Sequence, residues 1–310
     1  MNLTESIKQL EAAGHGNAKR TAEELAAYLL KCKPLEVYFC ECSPEQTVEF
    51  ESLIARAVFC EPVQYIIGHV DFRGLNIKCD ARALIPRAET ELLVQAVLDK
   101  VDATPSSRNV RRERDEGVAS TLQIVDVGTG TGCVGLSLLN EIPNANVVAV
   151  DISPDAVSLA QENATALGFE ERFTAVQGDL LKVDATPSSR SLRTLRDEGV
   201  ASTLFKEKSI DAVVANPPYI FSAVCMTLDR SVRDFEPRLA LDGGADGMDL
   251  IRRLMPQAKA ALKSGAGIFL EFGYNQGDAV RRCLIENGFQ RVEIKQDYAG
   301  YDRIAIGFAP

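Results

Sequence analysis

From Leu122 to the end of the chain, short apolar runs alternate with longer segments of helical periodicity, and this alternation limits the possible folds more than any other feature. The runs Ile124–Val127, Val147–Val150, Phe173–Val176, Ile210–Ala215 and Ile268–Phe272 are nearly continuous. Continuous apolar runs of this length suit strands covered on both faces, as in a parallel sheet. Val134–Leu139, Ala156–Leu167, Asp249–Leu262 and Ala279–Glu286 lie between them and read as helices. Val292–Lys295 and Arg303–Phe308 add two further strands, for seven in all. Strands alternating with helices predict an α/β domain built on a mainly parallel sheet.

The preceding segment has another texture. Ile7, Leu10 and Ala13 share one helical face, and Glu23–Leu30 and Val48–Phe59 continue helical patterning, so residues 1–63 are expected to form a small helical bundle. Val70, Phe72, Leu75 and Ile77 surround Arg73-Gly74 and predict a hairpin. Pro86 followed by Thr90-Glu91 fits the start of a helix over Glu89–Leu98, so residues 64–100 connect the bundle to an α/β domain over 122–310. Two stretches fit neither part. Residues 101–122 and 183–204 share the text VDATPSSR and RDEGVASTL and differ at only four positions, Asn109/Ser191, Val110/Leu192, Arg112/Thr194 and Glu113/Leu195. Structural repeats carry apolar periodicity and several copies, whereas these are polar and number two. They read as copies of one element inserted into surface loops, where added length costs little. Their arginines leave open a second reading, a pair of basic arms that touch a substrate.

Composition narrows the partners. The 310 residues are 46% hydrophobic and 25% charged, which is the balance of a folded chain with a sizeable core. A net charge of −10 weighs against stable nucleic-acid binding, since that affinity comes from Lys and Arg displacing counterions. No basic-then-apolar leader opens the chain, and no run approaches the about 18 apolar residues of a membrane-spanning helix. A cytoplasmic protein is therefore expected. His15 and His69 are the only histidines, and neither has zinc-ligand spacing to Cys40 and Cys42, so no metal is expected. The eight scattered cysteines read as small buried hydrophobes in a reducing compartment.

The chemistry begins after the first strand of the α/β domain. Ile124–Val127 runs into Gly128-Thr129-Gly130-Thr131-Gly132, where the lack of Cβ atoms lets the backbone approach a ligand closely. The next strand ends in Asp151, placed to accept hydrogen bonds from both hydroxyls of a ribose. These segments describe an adenosine site. The loop alone leaves two cofactors open, because Gly130, Gly132 and Gly135 also match the G-x-G-x-x-G of nicotinamide enzymes, with Asp151 about 20 residues on. Asp126, before the unbroken glycine alternation, can reach a cationic methionine ammonium and favours S-adenosylmethionine. Asp179 and Leu180, at the third strand tip, can meet an adenine amine and ring, although a solvated strand-end Asp is equally natural.

The fourth strand ends in Asn216-Pro217-Pro218-Tyr219. Ligands of doubly wound sheets bind at such strand ends. Two successive prolines remove two backbone donors and hold their carbonyls outward. Asn216 Oδ1 and the Pro217 carbonyl can then accept the N–H groups of an incoming NH₂, while Tyr219 can stack on its plane. A weakly nucleophilic planar nitrogen chiefly needs alignment with an activated methyl, so the motif points to nitrogen methylation.

With Ile85-Pro86-Arg87, Glu89-Thr90-Glu91, Glu236-Pro237, Gly243-Gly244-Ala245-Asp246-Gly247 and Asp302-Arg303 added in order, the chain resembles the HemK/PrmC family of protein-glutamine N-methyltransferases that modify peptide chain release factors. The likeness spans nearly the whole chain apart from the two near-duplicate stretches. It implies a Rossmann-like seven-stranded methyltransferase sheet with a small N-terminal helical domain that docks the release factor. It implies a substrate glutamine, in the Gly-Gly-Gln tip of class 1 release factors, bound by Asn216, Pro217, Pro218 and Tyr219. It also implies cofactor contacts from Gly128 to Gly132 and from Asp151, Leu180 and Asn216. Two departures stand out: Ala88 where the family commonly has Pro, and Leu180 where some members carry an aromatic residue. Neither removes a polar contact. Arg87 and Glu89 read as pins for the linker in preference to substrate ligands. A ribosomal-protein glutamine, an adenine amino group, or a nicotinamide-dependent oxidation remain the competing functions.

Overall fold

A computed structural model describes residues 1–101, 121–183 and 205–310. The two near-duplicate stretches lie almost entirely outside the described residues, and so does the reading of them as inserted loops.

The N-terminal bundle contains α1 (Leu3–Ala12), α2 (Ala18–Leu30) and α3 (Pro44–Val58). Leu10, Leu25, Phe50 and Ile54 form its centre, while Ile7 only packs against that core from the rim. Ser43 and Gln46 close a reciprocal capping box at the start of α3, with Pro44 in the first turn, which fixes where that helix begins. A short helix, α4 (Val63–Ile67), ends at Gly68 and leads into the hairpin of β1 (His69–Phe72) and β2 (Leu75–Lys78). Its two-residue turn, Arg73-Gly74, has positive φ at both positions, the backbone that matches strand twist in tight hairpins. Helix α5 (Thr90–Val101) follows.

The α/β domain runs through β3 (Leu122–Val127), α6 (Cys133–Glu141), β4 (Ala145–Asp151), α7 (Pro154–Ala166), β5 (Phe173–Asp179), β6 (Lys182–Val183) and β7 (Ile210–Ala215). Single helical turns precede α8 (Asp249–Ala261), β8 (Leu262–Glu271), α9 (Gly277–Glu286), β9 (Gln290–Gln296) and β10 (Asp302–Phe308). The sheet order is β6-β5-β4-β3-β7-β8-β10-β9. All seven expected strands are present, together with the two-residue β6, antiparallel on the edge of β5. Strands β3, β4, β5, β7 and β8 are parallel, and β10 and β9 close the sheet antiparallel.

Alternate side chains of one strand feed two cores. Val125, Val127, Val213 and Ala215 pack with Ile251, Leu254, Val280 and Leu284 on the α8–α9 side. Ile124, Ala212 and Val214 pack with Leu93, Val97, Leu136 and Ala160 on the other. Four cysteines are buried, as read from the sequence, but Cys32, Cys40, Cys42 and Cys60 are half-buried. They belong to the bundle and its loops, where a single thin core leaves the helix ends partly wet. No helix among the described residues is long and apolar enough to cross a membrane.

The chain runs outward from β3 to β4 and β5, then returns to lay β7 on the opposite side of β3. That reversal opens a crevice at the carboxyl ends of β3 and β7, the usual ligand position in such sheets.

Candidate active site

A cavity of about 230 Å³ occupies this crevice. Asp126, Gly128, Thr129, Gly130, Thr131, Asp151, Asp179, Leu180, Asn216, Pro217 and Pro218 all line it. Of the residues singled out in the sequence, Gly132 and Tyr219 are not among the lining residues.

On one side is the glycine loop. Gly128, Gly130 and Gly132 have φ of 70°, 55° and 83°, a region that L side chains avoid. The loop's own donors are largely engaged. Gly128 N and Thr129 N donate to the Val150 carbonyl at 2.8 and 3.1 Å, and Gly132 N donates to the Thr129 carbonyl at 2.8 Å. Gly130 N donates to Asp151 Oδ2 at 2.9 Å, while Asp151 Oδ1 accepts from Ser153 N at 3.0 Å.

Asp126 lies beneath the loop, only 2% exposed. Its Oδ2 accepts from Thr129 Oγ1 at 2.7 Å and from Gly135 N, in the first turn of α6, at 3.1 Å. The same carboxylate therefore braces the loop and caps the helix. Burial pushes it up to about 6, opposed by the Thr129 hydroxyl and the Gly135 amide. Burial also raises Asp151, against the pull of the Ser153 and Gly130 amides.

At the third strand tip, Asp179 pairs with Arg253 of α8. Its side chain stays about half exposed on the cavity lining, which leaves both the adenine contact and the solvated strand end open. Leu180 is buried with a left-handed φ of 59°, a conformation that costs a branched residue roughly 1–2 kcal/mol. Such backbones persist where surrounding structure enforces them, commonly at ligand sites.

The other side of the cavity is the corner after β7. Asn216 Nδ2 donates to Thr90 Oγ1 at 3.1 Å. Among the described residues, no hydrogen bond is made to Asn216 Oδ1 or to the Pro217 carbonyl. The corner is held from behind. Ile220 N donates to the Leu241 carbonyl at 3.0 Å, Gly243 N in the same strip donates to the Ile220 carbonyl at 2.8 Å, and Gln276 Nε2 donates to the Tyr219 carbonyl at 3.0 Å. A Cβ on Gly243 would sit 2.6 Å from the Pro218 carbonyl oxygen, and one on Gly247 would sit 2.2 Å from that of Tyr219. Only glycine permits the strip to lie so close. Tyr219 turns its hydroxyl onto Glu271 Oε1 at 3.2 Å, and its ring lies beside Gly273.

Four residues here went unassigned as site residues in the sequence: Thr90, Glu236, Glu271 and Gln276. Glu271 is 1% exposed, and its Oε2 has no hydrogen-bond partner. Pairing of Ala215 with Leu270 puts Glu271 level with Asn216 across two neighbouring strands. Burial raises Glu271, while the Thr90 and Tyr219 hydroxyls and Arg303 favour its charged form. Its signal was a single Glu inside the apolar run Ile268–Phe272. Glu236 is buried, accepts from Ile85 N at 3.1 Å and pairs with Arg87. Arg87 thus pins the linker while also lining the cavity, and Glu89 is exposed.

Known proteins bear on this arrangement. Residues 2–68 match the family described as the PrmC N-terminal domain, and residues 119–232 match a methyltransferase domain family. A release factor glutamine methyltransferase of Moorella thermoacetica is 38% identical over 99% of this chain and 96% of its own length. The Koribacter versatilis protein of the same description is 33% identical over 98% and 96%, and that of Thermodesulfovibrio yellowstonii 32% over 93% and 91%.

Proposed function

Because the chain belongs to the release factor glutamine methyltransferases, we propose that it moves a methyl group from S-adenosylmethionine to the side-chain amide nitrogen of the glutamine in the Gly-Gly-Gln tip of a class 1 release factor. The observation that carries this reading is the pair of unengaged acceptors, Asn216 Oδ1 and the Pro217 carbonyl, on the wall of the cavity that the glycine loop also lines.

The loop's wiring favours S-adenosylmethionine over a nicotinamide dinucleotide. A pyrophosphate needs free backbone N–H groups and the positive end of a helix. Here Gly128, Thr129, Gly130 and Gly132 spend their N–H groups internally, and Asp126 puts a carboxylate on the start of α6. That end of the cavity suits a cationic ligand. Asp151 would take the ribose hydroxyls on its remaining lone pairs, Leu180 would pack on the adenine ring, and Asp126 and the loop backbone would face the methionine part. When bound, the cofactor supplies a methyl already activated on a sulfonium.

The protein's contribution is alignment. Asn216 Oδ1 and the Pro217 carbonyl accept the two N–H bonds of the glutamine NH₂, which aims the nitrogen lone pair across the cavity. Pro218 and Tyr219 keep the corner rigid, Tyr219 through Glu271. Positioning of this kind is worth up to about 7–11 kcal/mol of barrier. The two acceptors also oppose the positive charge that develops on the NH₂ group. The methylated nitrogen becomes acidic enough to release its proton to water without a histidine. Of the two histidines, His15 sits in the bundle against the Ala57 carbonyl.

Leu35, Phe39 and Phe59 are exposed apolar side chains of the helical bundle, the part of the chain to which docking of the release factor is assigned. With that substrate, the enzyme would work in the cytosol. Incubating the protein with labelled S-adenosylmethionine and purified release factor, then mapping the label by mass spectrometry, tests the proposal. Label is expected on the Gly-Gly-Gln glutamine, and label on a ribosomal protein or on DNA instead would defeat it. Removal of residues 102–120 and 184–204, which spares Val101 of α5, Leu122 of β3 and Val183 of β6, should leave that activity in place, as inert insertions require.

A further inference from the structure

We propose that Glu271 and Thr90 are positioning residues that set the polarity of the Asn216 amide, so that its oxygen, and not its NH₂, faces the substrate. The inference rests on the methyl-acceptor reading of Asn216 and adds what makes that side chain an acceptor.

An asparagine amide can present either end to a ligand, and the two ends have opposite chemistry. Asn216 touches Thr90 Oγ1 through Nδ2 at 3.1 Å. That contact alone does not choose an orientation, because a hydroxyl both donates and accepts. The choice depends on where the single Thr90 proton goes. Thr90 is 2% exposed, so bulk water has little access to it. Glu271 is 1% exposed and level with Asn216 on the neighbouring strand, and the Thr90 hydroxyl favours its charged form. Tyr219 already gives its own proton to Oε1, while Oε2 is buried without a partner. An ionised carboxylate has only acceptors. It directs the Thr90 proton toward itself, leaves the Thr90 oxygen to accept from Nδ2, and so turns Oδ1 to the cavity. A neutral group at 271 that carries a donor reverses the chain: Thr90 gives its proton to the amide oxygen, and NH₂ then meets NH₂. Other charges face Glu271 too. Arg303 of β10, itself paired with Asp297, favours the charged form, and Glu89 in the linker before α5 opposes it.

The test compares wild type with Glu271→Gln, Thr90→Val and Thr90→Ser in the full chain. Glu271→Gln and Thr90→Val should lower kcat on release factor about 10- to 100-fold, while affinity for S-adenosylhomocysteine by calorimetry and the melting midpoint stay close to wild type. Thr90→Ser should recover most of the loss. Wild-type kcat should fall toward acid pH as Glu271 takes up a proton, and that limb should vanish in Glu271→Gln. A second readout needs no turnover: by NMR, the Asn216 side-chain NH₂ should exchange with solvent faster in Glu271→Gln and Thr90→Val than in wild type. Wild-type kcat in Glu271→Gln, a Thr90→Ser variant no better than Thr90→Val, or unchanged amide exchange would each overturn the inference. Wild-type protein that leaves the release factor unmethylated would instead remove the reading beneath it.

Discussion

The glycine loop after β3 and the diproline corner after β7 face each other across one cavity, and they are rigid for opposite reasons. The loop takes a path that side chains would forbid, then ties down its own N–H groups on Val150, Thr129 and Asp151, with a buried carboxylate beneath. The corner has few donors to tie down. Its prolines fix the backbone, and a strip of glycines packs against it from behind. The first wall has the N–H donors of Gly128, Thr129, Gly130 and Gly132 satisfied, although the buried Thr131 hydroxyl has no partner, and the second has its acceptors unsatisfied. The proposed transfer between two ligands would need both: one wall that holds a preformed shape around a cation, and one that keeps two oxygens waiting for N–H bonds.

Separate failure of the two walls is the sharpest way to test that contrast. Asn216→Ala removes one of the waiting oxygens and should lower kcat by on the order of 10³-fold, with only a modest change in S-adenosylhomocysteine affinity. Equal loss in both quantities would show that the walls are not independent. Gly243→Ala puts a methyl 2.6 Å from the Pro218 carbonyl and must push the corner forward. Its kcat should fall about 100-fold, the scale expected for a displacement near 1 Å, again with the cofactor affinity spared.

Asp126→Asn probes the loop through pH. The Asp126 carboxyl is raised by burial to about 6 in the fold, above its value in the unfolded chain. The native state therefore holds a proton that the unfolded state has lost between those two values, and stability falls as pH rises through about 6. Relative to the Asn variant, wild type should lose on the order of 3 kcal/mol between pH 4 and pH 7, measured by denaturant melts. A constant difference between the two proteins across that range would mean that Asp126 ionises as freely as in water. The smallest effect is expected for Gly130→Ala. The nearest atom to the new Cβ is 3.7 Å away, so there is room, but φ of 55° strains any L residue by roughly 1–2 kcal/mol. S-adenosylhomocysteine affinity should drop about tenfold, and kcat at saturation should not. A turnover defect without an affinity defect would invert the comparison.

Much of the first wall is legible in the sequence, because its parts are consecutive: a strand, a glycine alternation and a helix start announce one another over a dozen residues. The corner announces itself too, since Asn-Pro-Pro-Tyr follows a strand directly. What stays hidden is assembled from distance. Glu271 reads as one more member of an apolar strand until the pairing of Ala215 with Leu270 sets it beside Asn216. Thr90 reads as part of a helix start, yet it meets a side chain 126 residues away. Gln276 and the strip Gly243–Gly247 matter only through the back of the corner. The one strand absent from the sequence reading, Lys182–Val183, is two residues long and too short to carry any periodicity. Tyr219 shows the converse. Its type and place suggest a stacking partner for the substrate, while its hydroxyl is spent on Glu271.

The segment between the hairpin and α5 is stitched along its length. Tyr65 holds the Ala83 carbonyl at 2.7 Å, Ile85 and Arg87 both hold Glu236, and Thr90 closes on Asn216. A tether fastened at so many points has no room to swing. The reach from the helical end to the diproline corner is therefore a fixed length, and a release factor docked on the bundle as proposed would have to extend its glutamine by that length. On the proposed docking, the molecule would work as a calliper, choosing among glutamines by where they stand on their own scaffold as much as by what surrounds them.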